Sequence, residues 1–96
     1  MLELRPVCEN CSKPLPNGSL EAYICSFECT FCKDCVESIL HNVCPNCGGG
    51  FERRPVRPKS KLRRFPGKIE AYIKPVDLEE FQKLLIANRD IPPQDR

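Results

Sequence analysis

Eight cysteines lie between residues 8 and 47, and there are none elsewhere. They read Cys8-x2-Cys11, thirteen residues, Cys25-x3-Cys29-x2-Cys32-x2-Cys35, eight residues, Cys44-x2-Cys47. Two cysteines separated by two residues bring both sulfurs to one metal in a tight turn with little backbone strain, and zinc takes four such ligands in a tetrahedron. Eight thiolates therefore make two complete sites, and the expected cofactor is two Zn2+. Iron in the same ligands and four disulfides are the alternatives. Disulfides go with export, and Met1-Leu2-Glu3-Leu4-Arg5-Pro6 lacks the basic start and apolar run of a secretory leader. No apolar stretch nears the roughly 20 residues of a membrane span. The expectation is a cytoplasmic chain with reduced thiols and no membrane contact.

Catalysis at these metals is not expected. A hydrolytic zinc keeps an open position on three protein ligands, and eight cysteines fill both sites. His41, the one histidine, reads as an exposed helix-end residue. Metal-bound C-x2-C pairs are also poor redox pairs, although oxidation that releases zinc would make the chain redox- or metal-responsive. The prediction is that the chain is not an enzyme.

The sites need elements to hold them. Residues 1–51 form a module too small to be stabilised by apolar burial alone, whereas a structural zinc site contributes roughly 10 kcal/mol or more at neutral pH. Residues 1–7 read as a lead-in that docks through Leu2, Leu4 and Val7. Residues 12–19 carry two prolines and an Asn-Gly pair, which is loop chemistry. Leu20–Ile24 alternates like a strand, with a return strand at Thr30-Phe31 closing a hairpin around Cys25 and Cys29. A helix is expected from Lys33 to about His41, with Asp34 and Glu37 near its start. Cys44-Pro45-Asn46-Cys47-Gly48 reads as a metal-binding turn. The expected fold class is a small α+β zinc-binding domain with a β-hairpin and one short helix, plus a C-terminal helix.

Charge divides the chain. Residues 1–51 hold three basic and six acidic residues, net −3, whereas residues 52–96 hold twelve and seven, net +5. Residues 52–75 read as a basic, proline-rich connector with a short strand at Ile69–Ile73. Within it, residues 53–68 hold eight cations and no acid: Arg53, Arg54, Arg57, Lys59, Lys61, Arg63, Arg64 and Lys68. Three prolines predict an extended course. Such a strip can neutralise phosphates while Phe51 and Phe65 stack on unpaired bases. It can equally meet an acidic protein surface or stay solvated. Residues 76–96 read as an amphipathic helix, about Leu78 to Asn88, and a tail. Asp77 is its N-cap, Glu80 completes a capping box, and Val76 staples to Phe81. The stripe Leu78, Phe81, Leu84 and Leu85 packs on the zinc module or forms a homodimer or partner surface.

The order and spacing of the cysteines resemble a RING finger over residues 8–47, with Cys29 where most of that family has histidine. The resemblance implies a cross-brace, with Cys8, Cys11, Cys32 and Cys35 on one zinc and Cys25, Cys29, Cys44 and Cys47 on the other. The alternative is sequential: Cys8, Cys11, Cys25 and Cys29, then Cys32, Cys35, Cys44 and Cys47. The residues that would carry ubiquitin ligation are mostly missing. Glu9 stands where an apolar residue follows the first cysteine, the helix has Val36, Ile39 and Leu40 and no aromatic, and Gly48 replaces a basic residue; only Pro45 matches. The opening Met-Leu-Glu-Leu-Arg-Pro, the run Ile24–Cys32, and Cys44-Pro45-Asn46-Cys47-Gly48-Gly49 followed by Arg-Arg-Pro resemble a family of small bacterial proteins of unknown function, to about residue 75. The functional expectation is a structural zinc protein that acts as a non-enzymatic adaptor for an unidentified protein partner. A nucleic-acid-binding protein using residues 53–68 is the alternative.

Overall fold

A computed structural model describes all 96 residues. Strand β1 (Ala22–Ile24) pairs antiparallel with β2 (Thr30–Cys32), with Ala22 opposite Cys32 and Ile24 opposite Thr30. Chain reversal between them uses Glu28 at φ 65°. This is the expected hairpin, shortened at its start because Leu20 is exposed rather than paired. A third strand, β3 (Glu52–Arg53), pairs antiparallel with β1 on its other edge, giving the order β2-β1-β3. The sheet thus extends past residue 51, where the connector was expected to begin.

Helix α1 (Lys33–Cys35) follows β2 directly and continues as a π-helical turn at Val36–Leu40. The expected helix is present, but its second half is wider than an α-helix. His41 and Asn42 then turn the chain at φ 46° and φ 62°. His41 is exposed at that helix end, and the turn leads Val43 and Cys44 back into the core.

Phe31, Leu15, Leu40 and Val43 are buried at the centre, with six of the cysteines around them. Phe51 closes one side, edge-on to Phe31 with ring centroids 5.4 Å apart. It is buried, so it cannot stack on bases, contrary to expectation. The lead-in docks through Leu4, which is buried, and through a bridge between Val7 and Pro14.

The connector departs most from the sequence reading. Residues 53–68 are not wholly extended, because Pro58 starts a short helix, α2 (Lys59–Leu62). Proline is tolerated at a helix start, where its missing N–H would have no partner. Ile69–Ile73 is not a strand: it runs irregularly, with Ile69 93% exposed. Alternation alone, with no strand partner, does not make a strand.

Helix α3 (Leu78–Asn88) has the expected bounds. The Asp77 carboxylate accepts from the amides of Glu79 and Glu80 at 3.1 and 3.2 Å, the N-cap half of the expected capping box. Phe81 and Leu85 are buried in the same core as the cysteines, with Val76 and Leu84 packed at its edge. Of the expected stripe, Leu78 is left exposed. The packing alternative is therefore the one observed, and Phe81 and Leu85 are not free for a homodimer. No helix is long and apolar enough to cross a membrane.

Candidate metal centres

The sulfurs of Cys8, Cys11, Cys32 and Cys35 all lie within 4.8 Å of one another. Cys8 and Cys11 come from the first turn, while Cys32 ends β2 and Cys35 ends α1. Cys8 Sγ is 3.8 Å from Cys35 Sγ, and Cys11 Sγ is 3.7 Å from Cys32 Sγ. A tetrahedral zinc with bonds of about 2.3 Å sets its sulfurs about 3.8 Å apart. Two edges of the first set therefore have the length found in a zinc tetrahedron, and the rest lie within 4.8 Å. Cys8 and Cys11 gather with Cys32 and Cys35, not with Cys25 and Cys29 as in the sequential scheme.

The sulfurs of Cys25, Cys44 and Cys47 form the second group within 4.8 Å. Cys29, the expected fourth ligand, is buried beside this group but is not gathered within the same 4.8 Å. The Cys44 sulfur, followed by the Asn46 and Cys25 side chains, holds the Cys29 thiol down to about 5 despite burial. The Cys44 thiol is pushed far up, by Cys29 first and by burial second. Burial likewise raises Cys25, to about 11.

Amides point at both sets. Phe27 N–H donates to Cys25 Sγ at 3.3 Å, Gly49 N–H to Cys47 Sγ at 3.4 Å, and Asn10 Nδ2 to Cys35 Sγ at 3.4 Å. Such donors offset the negative charge that four thiolates keep around a divalent ion. Gly48, at φ 78°, permits the turn that follows Cys47. Cys11 and Cys47 are exposed, and the other six cysteines are buried.

Two residues with unrecognised roles join the sets to the rest of the chain. Glu9 donates its amide to the carbonyl of Thr30 and accepts on its own carbonyl from Lys74 N–H. Its carboxylate is buried and accepts from Asn46 Nδ2 at 3.3 and 3.4 Å. Burial, and next the Cys29 thiolate, raise its pKa. Asn10 bonds Cys35 with its amide nitrogen, and its oxygen accepts from Val76 N–H at 2.8 Å. Residues 74–76 are thus fastened across both sets, which positions α3. The Arg96 guanidinium completes the contact, donating to the carbonyls of Asn42 and Gly48 at 2.8 and 3.0 Å. Single asparagines and glutamates beside cysteines carry no sequence signal for such a role.

The basic strip divides. Arg54 is buried, and its guanidinium donates to the carbonyls of Arg5, Leu15 and Pro16 at 2.9, 2.9 and 3.1 Å. Arg57 donates to the carbonyls of Phe65 and Leu2, both at 2.8 Å. Both were expected to face a partner, and both instead tie the connector to the lead-in. Their forked guanidinium geometry allows one side chain to reach several carbonyls. Arg53, Lys59, Lys61, Arg63, Arg64 and Lys68 are exposed.

A family described as "Protein of unknown function (DUF1272)" matches residues 1–57. An uncharacterized protein of Rhizobium meliloti (strain 1021) is 53% identical over 75 residues, 78% of this chain and 89% of that protein. No solved structure matches the chain.

Proposed function

This chain belongs to the family of unknown function DUF1272, and from that premise we propose that it is a zinc-stabilised, non-enzymatic interaction adaptor of the bacterial cytoplasm. The observation that carries this reading is the sulfur-only gathering of Cys8, Cys11, Cys32 and Cys35 at tetrahedral spacing. Four protein ligands close a zinc, leaving no position for water or substrate. Such a metal supplies folding energy and a fixed shape. Cys25, Cys29, Cys44 and Cys47 serve the second zinc in the same way. The two sets alternate along the chain, which supports a RING-like cross-brace. Glu9, turned inward between the two sets, and Gly48 give no support to ligase activity.

In this reading the metals fix a sheet and a helix whose outer surfaces meet other molecules. The experiment is affinity capture with the full, zinc-loaded chain from a native bacterial extract. One stoichiometric protein partner, lost when the zinc is stripped, is the expected result. Capture of no partner across extracts from several growth states would overturn the adaptor reading. A second reading, a redox-responsive protein, is favoured by the exposure of one ligand in each set, Cys11 and Cys47. Reversible zinc release in mild peroxide that leaves partner capture unchanged would count against it.

A further inference from the structure

Six cations of residues 53–68 are exposed, and none takes part in an ion pair. The two ion pairs of the chain are Arg5–Glu3 and Lys13–Glu21. Unpaired charges of one sign at this density repel one another and attract a polyanion. Helix α2 and the turn after it carry four of them, Lys59, Lys61, Arg63 and Arg64, in six residues. Arg57 holds this turn against the lead-in through its bonds to the Phe65 and Leu2 carbonyls, so the cations stand on a fixed base.

An aromatic ring sits among them. Phe65 is 37% exposed, and the Arg64 guanidinium lies over it at 5.4 Å from the ring centroid. Beside the ring opens a cleft of about 400 Å³, whose walls include Met1, Leu2, Phe65, Arg64 and Lys68, with Glu3 as its one acid. Apolar surface, an exposed ring and a cationic rim in one cleft suit a flat base with a phosphate on either side. Charge on the rest of the molecule sets direction. Residues 1–51 carry net −3 before metal, and each zinc with four thiolates adds further negative charge. Residues 52–96 carry the opposite charge, net +5, so a polyanion is drawn to this half of the chain.

We propose that the turn around α2 is a binding surface for single-stranded nucleic acid, with phosphates on Lys59, Arg63, Arg64 and Lys68 and one base stacked on Phe65. An unpaired strand suits this surface better than a duplex. Four residues of helix are too few to lie along a major groove, and a stacking ring needs a base freed from its pair. An acidic protein segment would use the cations and have no use for the ring. The proposal deepens the adaptor reading by giving one face a partner class, and it rests on that reading only for the folded scaffold.

The test is fluorescence anisotropy of a labelled oligo(U) of about 12 nucleotides with the full, zinc-loaded chain. Four phosphate contacts on a single strand predict a salt slope of about −2.8, so affinity falls about 50-fold between 50 and 200 mM salt. Phe65→Ala is expected to weaken binding by about tenfold, and Phe65→Trp to restore it. Lys59→Gln with Arg63→Gln is expected to make the slope shallower by about 1.4. Zinc content and circular dichroism of each variant establish that it is folded. The proposal is overturned by no saturation at about 100 µM chain in low salt. It is equally overturned if Phe65→Ala binds like the parent, or if a duplex or poly-glutamate of equal length binds as tightly as the single strand. Each of these outcomes leaves the protein-partner capture untouched, so the two proposals fail separately.

Discussion

Replacing Arg54 by alanine tests whether this cation is a clamp or a binding residue. Its guanidinium donates to three carbonyls, those of Arg5, Leu15 and Pro16. Hydrogen bonds from a charged donor contribute about 1.5 kcal/mol each at the low end, so three amount to about 4.5 kcal/mol. Against this, Arg54 is buried with no acid partner, and its Nε has no acceptor. Burial also depresses its pKa. Removing the side chain relieves that desolvation, about 1–2 kcal/mol. The expected net loss is about 3 kcal/mol, a fall in Tm of about 12–24 °C for a domain of this size. The assay is urea unfolding at fixed free zinc, so that the metal contribution cancels in the difference. Arg54→Lys should recover little, because an ammonium cannot reproduce the fork. Alanine at Lys59 or Arg63 should change stability by less than about 0.5 kcal/mol. If Arg54→Ala unfolds within about 0.5 kcal/mol of the parent, the clamp argument is refuted.

Phe81→Ala should cost about 3–4 kcal/mol, because Phe81 fills the seam between α3 and the cysteine core; thermal unfolding that matches the parent would show the helix to be loosely attached. Asp77→Ala removes the acceptor of two amides and should cost about 1 kcal/mol, read from the same melts, with Asp77→Asn recovering most of it. Acidification should release metal. Metal binding requires deprotonated sulfur, so each thiol that regains a proton weakens it by about tenfold per pH unit below that thiol's pKa. A zinc-indicator titration should therefore show cooperative release as pH falls and none as it rises to moderately alkaline values; release that is independent of pH would contradict thiolate ligation.

Much of the metal framework was legible because ligand chemistry dictates spacing. C-x2-C can be recognised without knowing what surrounds it, and a β-hairpin followed by a helix is what brings Cys32 and Cys35 beside Cys8 and Cys11. Helix α3 was legible from Asp77 and the spacing of Phe81 and Leu85. What escaped was decided by neighbours distant in sequence. Arg54 and Arg63 look alike in a basic run, yet one finds three carbonyls from the lead-in and the loop at residues 15–16, and the other finds solvent. Ile69–Ile73 alternates as well as Leu20–Ile24 does, but only the latter segment meets partner strands, and Ile69 is left in solvent. Glu9 and Asn10 act as joints only because residues 74–76 return across them, a long-range contact that no local pattern encodes.

The proposed function rests on eight sulfurs closing two zinc sites that hold the fold. Elemental analysis of fresh, reduced protein tests it most directly, with Cys8→Ser and Cys44→Ser measured alongside. The expected result is about two zinc per chain in the parent and about one in each variant. Fewer than about 1.5 zinc in the parent, or iron in its place, would contradict it.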